Sequence, residues 1–341
     1  MEKETRRKPR AIALLSGGLD STLAVSILLD MGVEVEAVNF KTIFCQCTSE
    51  RRREGCGSEA RRMSEALGLK LSVFSVTDDY LDIIKHPPHG WGSSMNPCID
   101  CRIFMFRKAK EYMERTGADF IVTGEVLGQR PMSQHMHAIR TIERESGLDG
   151  LVVRPLCAKL LPPSKPEQEG LIDREKMLSI RGRSRKPQIR LAAEKGIHDY
   201  ACPAGGCLLA DKIYGRKLRE LLEHKPDATF ADMRLLKYGR HFRLADGSKI
   251  IVGRDEKENE KLERLGQRLL QMQVVDGLGP VTLAPADISG ESKLVAASIT
   301  ARYSKGRNEA SLVIRSRMNG EEELLEVQPI SDERLSPWRI E

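Results

Sequence analysis

Ala11 to Leu15 is an unbroken apolar run, the pattern of a strand buried on both faces. Ser16-Gly17-Gly18-Leu19-Asp20-Ser21 follows it. From Thr22 to Met31 apolar residues mix with good helix formers, and Gly32 is placed to end a helix. The same alternation continues: a strand over Val33 to Phe40, a helix over Ser58 to Leu67 stopped at Gly68, and a strand over Leu69 to Val76. A helix over Ile103 to Arg115 then precedes a strand over Ala118 to Thr123. Strands that alternate with helices predict an α/β fold with a parallel sheet. Leu161-Pro162-Pro163-Ser164-Lys165-Pro166 reads as a stiff loop inside this domain.

From about Pro226 the texture changes. Phe242-Arg243-Leu244 and Lys249 to Val252 flank Ala245-Asp246-Gly247-Ser248, a hairpin signal. A charged helix is predicted over Glu256 to Met272, and strands over Leu294 to Tyr303 and Ser311 to Arg315. The division predicted is a catalytic domain over 1–225 and a smaller α+β domain over 226–341, with no internal repeat.

Composition narrows the class. The chain has 341 residues, 40% hydrophobic and 30% charged, enough apolar material for two cores and against wholesale disorder. Lys and Arg exceed Asp and Glu by 55 to 49, a mild excess that permits a nucleic-acid partner without requiring one. No apolar run approaches the roughly 18 to 20 residues that span a bilayer, and the charged start has no signal-peptide core, so the expectation is a cytoplasmic protein without a membrane partner. In a reducing compartment eight cysteines, all between Cys45 and Cys207, are thiols or metal ligands rather than a disulfide framework.

Two glycines between a strand and a helix let the backbone approach an anion closely, and Ser16, Ser21 and Thr22 add hydroxyls beside the helix N-terminus. The loop lacks the Gly-Lys-Ser/Thr of a Walker A loop and the third glycine of a dinucleotide fingerprint. The bland alternative is a glycine turn with a serine cap. The whole hexapeptide resembles the signature of the PP-loop ATP pyrophosphatases, which cleave ATP between the α and β phosphates and adenylate a carbonyl oxygen. That resemblance implies that Ser16, Gly17, Gly18, Asp20 and Ser21 hold the pyrophosphate and its Mg²⁺, and that Asn39 and Phe40 meet the adenine.

Thr123-Gly124-Glu125-Val126-Leu127-Gly128-Gln129 follows a later strand, with Ser133-Gln134 and Arg154-Pro155-Leu156 beyond it. Together these segments resemble the PP-loop core of the tRNA 4-thiouridine synthetases over roughly residues 10 to 210, and bring Gly124 and Gln129 to the ATP site. Those enzymes carry an RNA-binding THUMP domain ahead of the loop and often a rhodanese-like domain with a sulfur-carrying cysteine. There is no room for the first before Ser16 and no cysteine for the second after Cys207, so neither is expected here.

Asn96-Pro97-Cys98-Ile99-Asp100-Cys101 sets two thiols ahead of a helix, and Cys202-Pro203-Ala204-Gly205-Gly206-Cys207 sets two more among glycines. Three uses are open: a zinc site of Cys98, Cys101, Cys202 and Cys207; a redox or persulfide pair; or a [4Fe-4S] cluster on three cysteines with one iron open. The chain resembles the iron-sulfur-dependent tRNA thiolases in pairing a Cys-x-x-Cys with a distant cysteine. That resemblance implies Cys98, Cys101 and Cys207 as ligands, with Cys202 as the alternate third. Cys157 reads as a small buried hydrophobe, and Cys45, Cys47 and Cys56 are unassigned.

Arg181-Gly182-Arg183-Ser184-Arg185-Lys186 is the densest basic run, either a solvated face or an RNA contact through Arg181, Arg183, Arg185 and Lys186. The stretch from Arg243 to Asn259 resembles the NFACT-R module, which is associated with RNA binding; the alternative is a structural module or the contact of a homodimer. Together these resemblances imply an ATP-dependent tRNA sulfurtransferase in which Asp20, Cys98, Cys101 and Cys207 are catalytic, supplied by sulfide or by persulfide from a cysteine desulfurase. The alternatives are sulfur insertion into a small cofactor precursor and an RNA-binding protein with a degenerate ATP site.

Overall fold

The computed structural model describes residues 7–45, 56–76, 78–198, 200 and 206–340. The chain divides into two compact units, Met1–Ala210 and Asp211–Glu341.

The first unit is built on a five-stranded sheet. In chain order its elements are β1 (Arg10–Leu14), α1 (Leu19–Asp30), β2 (Glu34–Lys41), α2 (Cys56–Ala66), β3 (Leu71–Ser75), α3 (Asp79–Lys85), α4 (Cys98–Thr116), β4 (Phe120–Thr123), α5 (Met136–Ser146), β5 (Val152–Val153), α6 (Lys165–Gln168) and α7 (Lys186–Glu194). The strand order is β3-β2-β1-β4-β5, with every pair parallel. Alternate residues of β1 feed two cores. Ala11 and Ala13 pack with Leu23, Val25 and Leu28 of α1, while Ile12 and Leu14 pack with Ile103, Phe106 and Met113 of α4. Buried on both faces, β1 needs the continuous apolar run the sequence has. The chain leaves β1 toward β2 on one side, and β4 lies on the other. The sheet therefore has a switch point between β1 and β4, where α/β folds open a crevice beyond the strand ends.

The second unit holds α8 (Lys212–His224), α9 (Phe230–Leu235), β6 (Arg240–Arg243), β7 (Lys249–Val252), α10 (Glu256–Leu265), β8 (Leu270–Val274), β9 (Thr282–Ala284), α11 (Gly290–Arg302), β10 (Leu312–Met318), β11 (Glu321–Val327), α12 (Asp332–Leu335) and β12 (Arg339–Ile340). Its seven strands run β11-β10-β8-β9-β7-β6-β12, all antiparallel. The hairpin predicted around Asp246-Gly247 is β6–β7, with Phe242 opposite Ile250.

Three expectations are corrected here. The division precedes α8 rather than falling at 225/226, because α8 is tied to the second unit: Tyr214 Oη donates to Met233 O at 2.7 Å and Lys217 Nζ to Gly239 O at 3.1 Å. The helix predicted over Glu256 to Met272 stops at Leu265, and Leu270 and Met272 instead alternate inward on β8. The strand predicted over Leu294 to Tyr303 is the helix α11, whose cap Ser289 accepts from Ser292 N. Ala296, Ala297, Ile299, Thr300 and Ala301 of α11 are all buried, and the apolar Leu294 lies on its exposed side, so the polar stripe is broken and the helical period is weak.

Candidate nucleotide and thiol site

The loop after β1 opens a cavity of about 270 Å³ at the switch point. Ser16, Gly18, Asp20 and Ser21 line it from the first loop, Asn39 and Phe40 from the end of β2, and Thr123, Gly124, Gln129 and Gln134 from the segment after β4. Residues the sequence scatters over more than a hundred positions thus share one wall, because β1, β2 and β4 are neighbours and all end at the same edge.

The loop is held from within. Ser16 Oγ and Ser21 Oγ lie 3.1 Å apart, and Gly18 N donates to Ser16 Oγ at 3.3 Å. Ser21 Oγ and Thr22 Oγ1 each donate to Gly18 O at 3.0 Å. Gly17 does not line the cavity; it turns the chain with φ +75, and a Cβ there would lie 2.5 Å from the Glu59 carbonyl carbon. Gly124 serves close approach: a Cβ would lie 2.4 Å from Asp20 C and Ser21 N. Gly124→Ala is expected to push these loops apart and weaken ATP binding by about tenfold, read by calorimetric titration. Unchanged affinity would contradict the close approach.

Asp20 is the most constrained acid of the loop. Its Oδ2 accepts from Gln129 Nε2 at 2.7 Å, and Gln129 Oε1 in turn accepts from Gln188 Nε2 at 3.1 Å. Arg185 Nη2 lies 3.7 Å from the same Oδ2. Asp20 Oδ1 is buried and has no hydrogen-bond partner among the described residues, an arrangement that suits a carboxylate reserved for a cation.

The basic run divides. Arg181 is pinned beside the second loop by a bridge to Leu127 and is exposed, as are Arg183 and Lys186. Arg185 lines the cavity and faces Asp20, so it belongs to the nucleotide site rather than to a solvated face. Arg154, quoted above within a motif, is buried: Nε pairs with Glu125 Oε2 at 3.0 Å and Nη1 with Glu143.

The thiols gather beside this cavity. Cys98 and Cys101 are in the first turn of α4 rather than ahead of it. Asn96 Nδ2 donates to Cys98 Sγ at 3.2 Å and Tyr80 Oη to Cys101 Sγ at 3.0 Å. Cys207 pairs across a short antiparallel bridge with Cys45, and Cys45 lines the nucleotide cavity. Burial pushes the Cys101 thiol up. The Cys207 residue is exposed as a whole, yet its sulfur is closely surrounded; burial, then Cys101, Cys98 and Cys45, push it up to about 12. Cys207 among three further thiols is a donor set of the chemistry that suits a soft cation, which supplies opposite charge. Among the described residues no three His, Cys, Asp or Glu stand in metal-ligating geometry. Cys47 and Cys202 lie outside the described residues. Cys157 is a buried thiol 3.4 Å from Glu125 O.

Sequence reasoning missed Cys45, Arg102 and Arg130 as cavity residues. Isolated cations carry no run to draw attention, though Arg102 directly follows Cys101.

A parallel sheet with this glycine-serine loop at its switch point, closed by a second loop after β4, defines a PP-loop nucleotide-binding domain. Residues 7–159 match the family model described as thiamine biosynthesis protein (ThiI), and residues 239–339 that of the NFACT protein RNA binding domain. The first match takes in both loops of the cavity, and the second takes in most of the second unit. The tRNA-specific 2-thiouridylase MnmA of Marinobacter nauticus is 27% identical over 244 residues, which cover 66% of this chain and 57% of the relative. A probable tRNA sulfurtransferase of Thermoanaerobacter sp. is 31% identical over 159 residues, 46% of this chain and 38% of the relative. The chain thus spans about half the length of the curated relatives it matches. A 4-thiouridine synthetase solved with RNA and bound ATP overlaps 55% of this chain and 50% of its own at 26% identity, with a TM-score of 0.37. Among the described residues no helix is long and apolar enough to cross a membrane.

Proposed function

We propose that this protein is an ATP-dependent tRNA sulfurtransferase that adenylates a uridine carbonyl oxygen and replaces it with sulfur, giving a 4-thio or 2-thio product. The observation that carries the reading is the convergence of the Ser16–Ser21 loop, the Gly124–Gln129 loop and Cys45 on one cavity, with Cys207 bridged to Cys45 and Cys98 and Cys101 in the first turn of α4 beside the cavity residue Arg102. Relatives of both domains supply the substrate class: two are named as tRNA-thiolating enzymes, and the second unit matches an RNA-binding domain.

In this reading the N–H groups at the start of α1, with Ser16 and Ser21, hold the pyrophosphate as it leaves. Asp20 holds Mg²⁺ through its unpartnered Oδ1. The acceptor carbonyl oxygen bonds to the α-phosphorus and the bond to the β-phosphate breaks, its electron pair leaving with pyrophosphate. Sulfur then bonds to the carbon and the carbon–oxygen bond breaks, its pair leaving with AMP. Cys98, Cys101 and Cys207 (Cys202 as the alternate third) would hold a [4Fe-4S] cluster, with zinc as the alternative metal. When bound, the cluster supplies soft-metal chemistry for sulfide delivery. Arg181, Arg183 and Lys186 contact RNA phosphates, while Arg185 serves the nucleotide.

The test is anaerobic purification with iron and acid-labile sulfide assay on wild type and Cys98→Ala, followed by mass spectrometry of nucleosides from tRNA incubated with ATP, Mg²⁺ and sulfide. Iron and sulfide that are lost in Cys98→Ala are the expected result, with 4-thiouridine or 2-thiouridine formed. Thiolation by a metal-free protein would remove the cluster from the reading and leave sulfide itself as the nucleophile that displaces AMP, and no thionucleoside from any tRNA would overturn the reading.

A further inference from the structure

We infer that Arg102 is a further catalytic residue, the fixed cation that holds the α-phosphate of ATP, and then of the adenylated acceptor, on the cysteine side of the cavity. The inference rests on the adenylation chemistry proposed above. Arg102 lies one turn into α4, directly after Cys101, and lines the same cavity as Ser16, Asp20 and Ser21. Its Nε pairs with Glu125 Oε1 at 3.0 Å, and Glu125 is fixed on its other oxygen by Arg154 Nε, also at 3.0 Å.

That pairing confines the side chain. A guanidinium is a rigid planar fork, and the ion pair with a carboxylate that is 1% exposed, though without hydrogen-bond geometry at Glu125 Oε1, keeps the fork at the cavity wall. Neither Nη has a hydrogen-bond partner among the described residues, and the side chain as a whole is 26% exposed. The Phe106 ring lies 6.0 Å from Cζ and steadies the plane. The result is a charged group with two uncommitted Nη donors at the cavity wall, a donor set that suits a phosphate.

Its position selects which phosphate. The pyrophosphate end belongs to the α1 N-terminus, where Arg185 already faces Asp20. Asn39 and Phe40 line the wall at the end of β2, where the base is assigned. The α-phosphate lies between these ends, and Arg102 joins the cavity to the thiols. The second chemical step loads negative charge on that phosphate, as AMP departs with the electron pair, and in the first a cation there offsets the α-phosphate's charge as the acceptor oxygen approaches. A fixed cation there lowers both barriers.

The test is calorimetric titration of the full chain with AMP, adenosine and pyrophosphate, in Mg²⁺, for wild type, Arg102→Ala and Arg102→Gln. Gln keeps a polar side chain of partial length at the wall without the charge. Both variants are expected to bind AMP about tenfold more weakly, with adenosine and pyrophosphate within about twofold of wild type. AMP affinity equal to wild type in either folded variant would overturn the assignment, and so would parallel weakening of all three ligands. These readouts hold whatever the acceptor is. Failure to thiolate tRNA in the wild type would overturn the proposed function and leave the Arg102 result standing.

Discussion

Asp20→Asn is expected to lower AMP-forming turnover by roughly 10²- to 10³-fold, the scale of removing one preorganised electrostatic group from a transition state. The side chain is almost unchanged in shape. The amide oxygen can still accept the 2.7 Å hydrogen bond from Gln129, so the link between the two loops survives. The other position changes sign: a buried carboxylate oxygen with no partner becomes an NH₂ that cannot coordinate a cation. Arg185, 3.7 Å from the carboxylate, also loses that opposite charge. The loss should therefore fall mainly on kcat, with an added Mg²⁺ dependence. Pyrophosphate release measured over a range of Mg²⁺, beside thermal unfolding of the same variant, checks this. Turnover near that of wild type in a folded Asp20→Asn protein would remove Asp20 from the catalytic machinery.

The parts of this site legible in the sequence are those where local pattern and tertiary role coincide. β1 is apolar because it is buried on both faces, and the hexapeptide after it is glycine- and serine-rich because an anion site needs bare backbone and hydroxyls. Asn39, Phe40, Gly124 and Gln129 fall on the same wall because parallel strands end at one edge, a rule of topology that strand prediction alone invokes. Arg185 and Arg102 were not legible. Arg185 sits in a run of cations where nothing in the sequence tells which one turns inward, Arg102 is an isolated cation, and their partners Asp20 and Glu125 are distant in sequence. The second unit was harder for a different reason. Its strands are short, α11 carries the apolar Leu294 on its open side and so blurs the helical period, and β8 begins only a few residues after a charged helix whose pattern runs on. The domain division was obscured because Pro226 sits just past the end of α8, a strong local break that is not the boundary between cores.

Arg154→Met is expected to destabilise the first unit by about 3–5 kcal/mol, the cost of breaking a buried ion pair from one side. Arg154 is 1% exposed by its side chain and joins Glu125, on the loop after β4, to Glu143, on α5. Both carboxylates pull its guanidinium further toward the charged form, against the opposing effect of burial. Methionine fills much of the volume but leaves Glu125 facing only Arg102 and Glu143 with no cation inside. Equilibrium denaturation of the full chain, followed through the first unit's transition, measures the loss. The triple replacement Glu125→Gln, Glu143→Gln and Arg154→Met should recover part of it, since a neutral set has no stranded charge. A loss below about 1 kcal/mol in the single variant would mean that water reaches the pair and the network is not structural. The pairing also carries a consequence for chemistry. Glu125 is shared by a buried cation that holds the fold and a cavity cation placed to hold phosphate, so Arg154→Met should loosen Arg102 as well. Weaker AMP binding in that variant at temperatures where it remains folded would show that the stability of the β4 loop and the aim of Arg102 are one property of the same carboxylate.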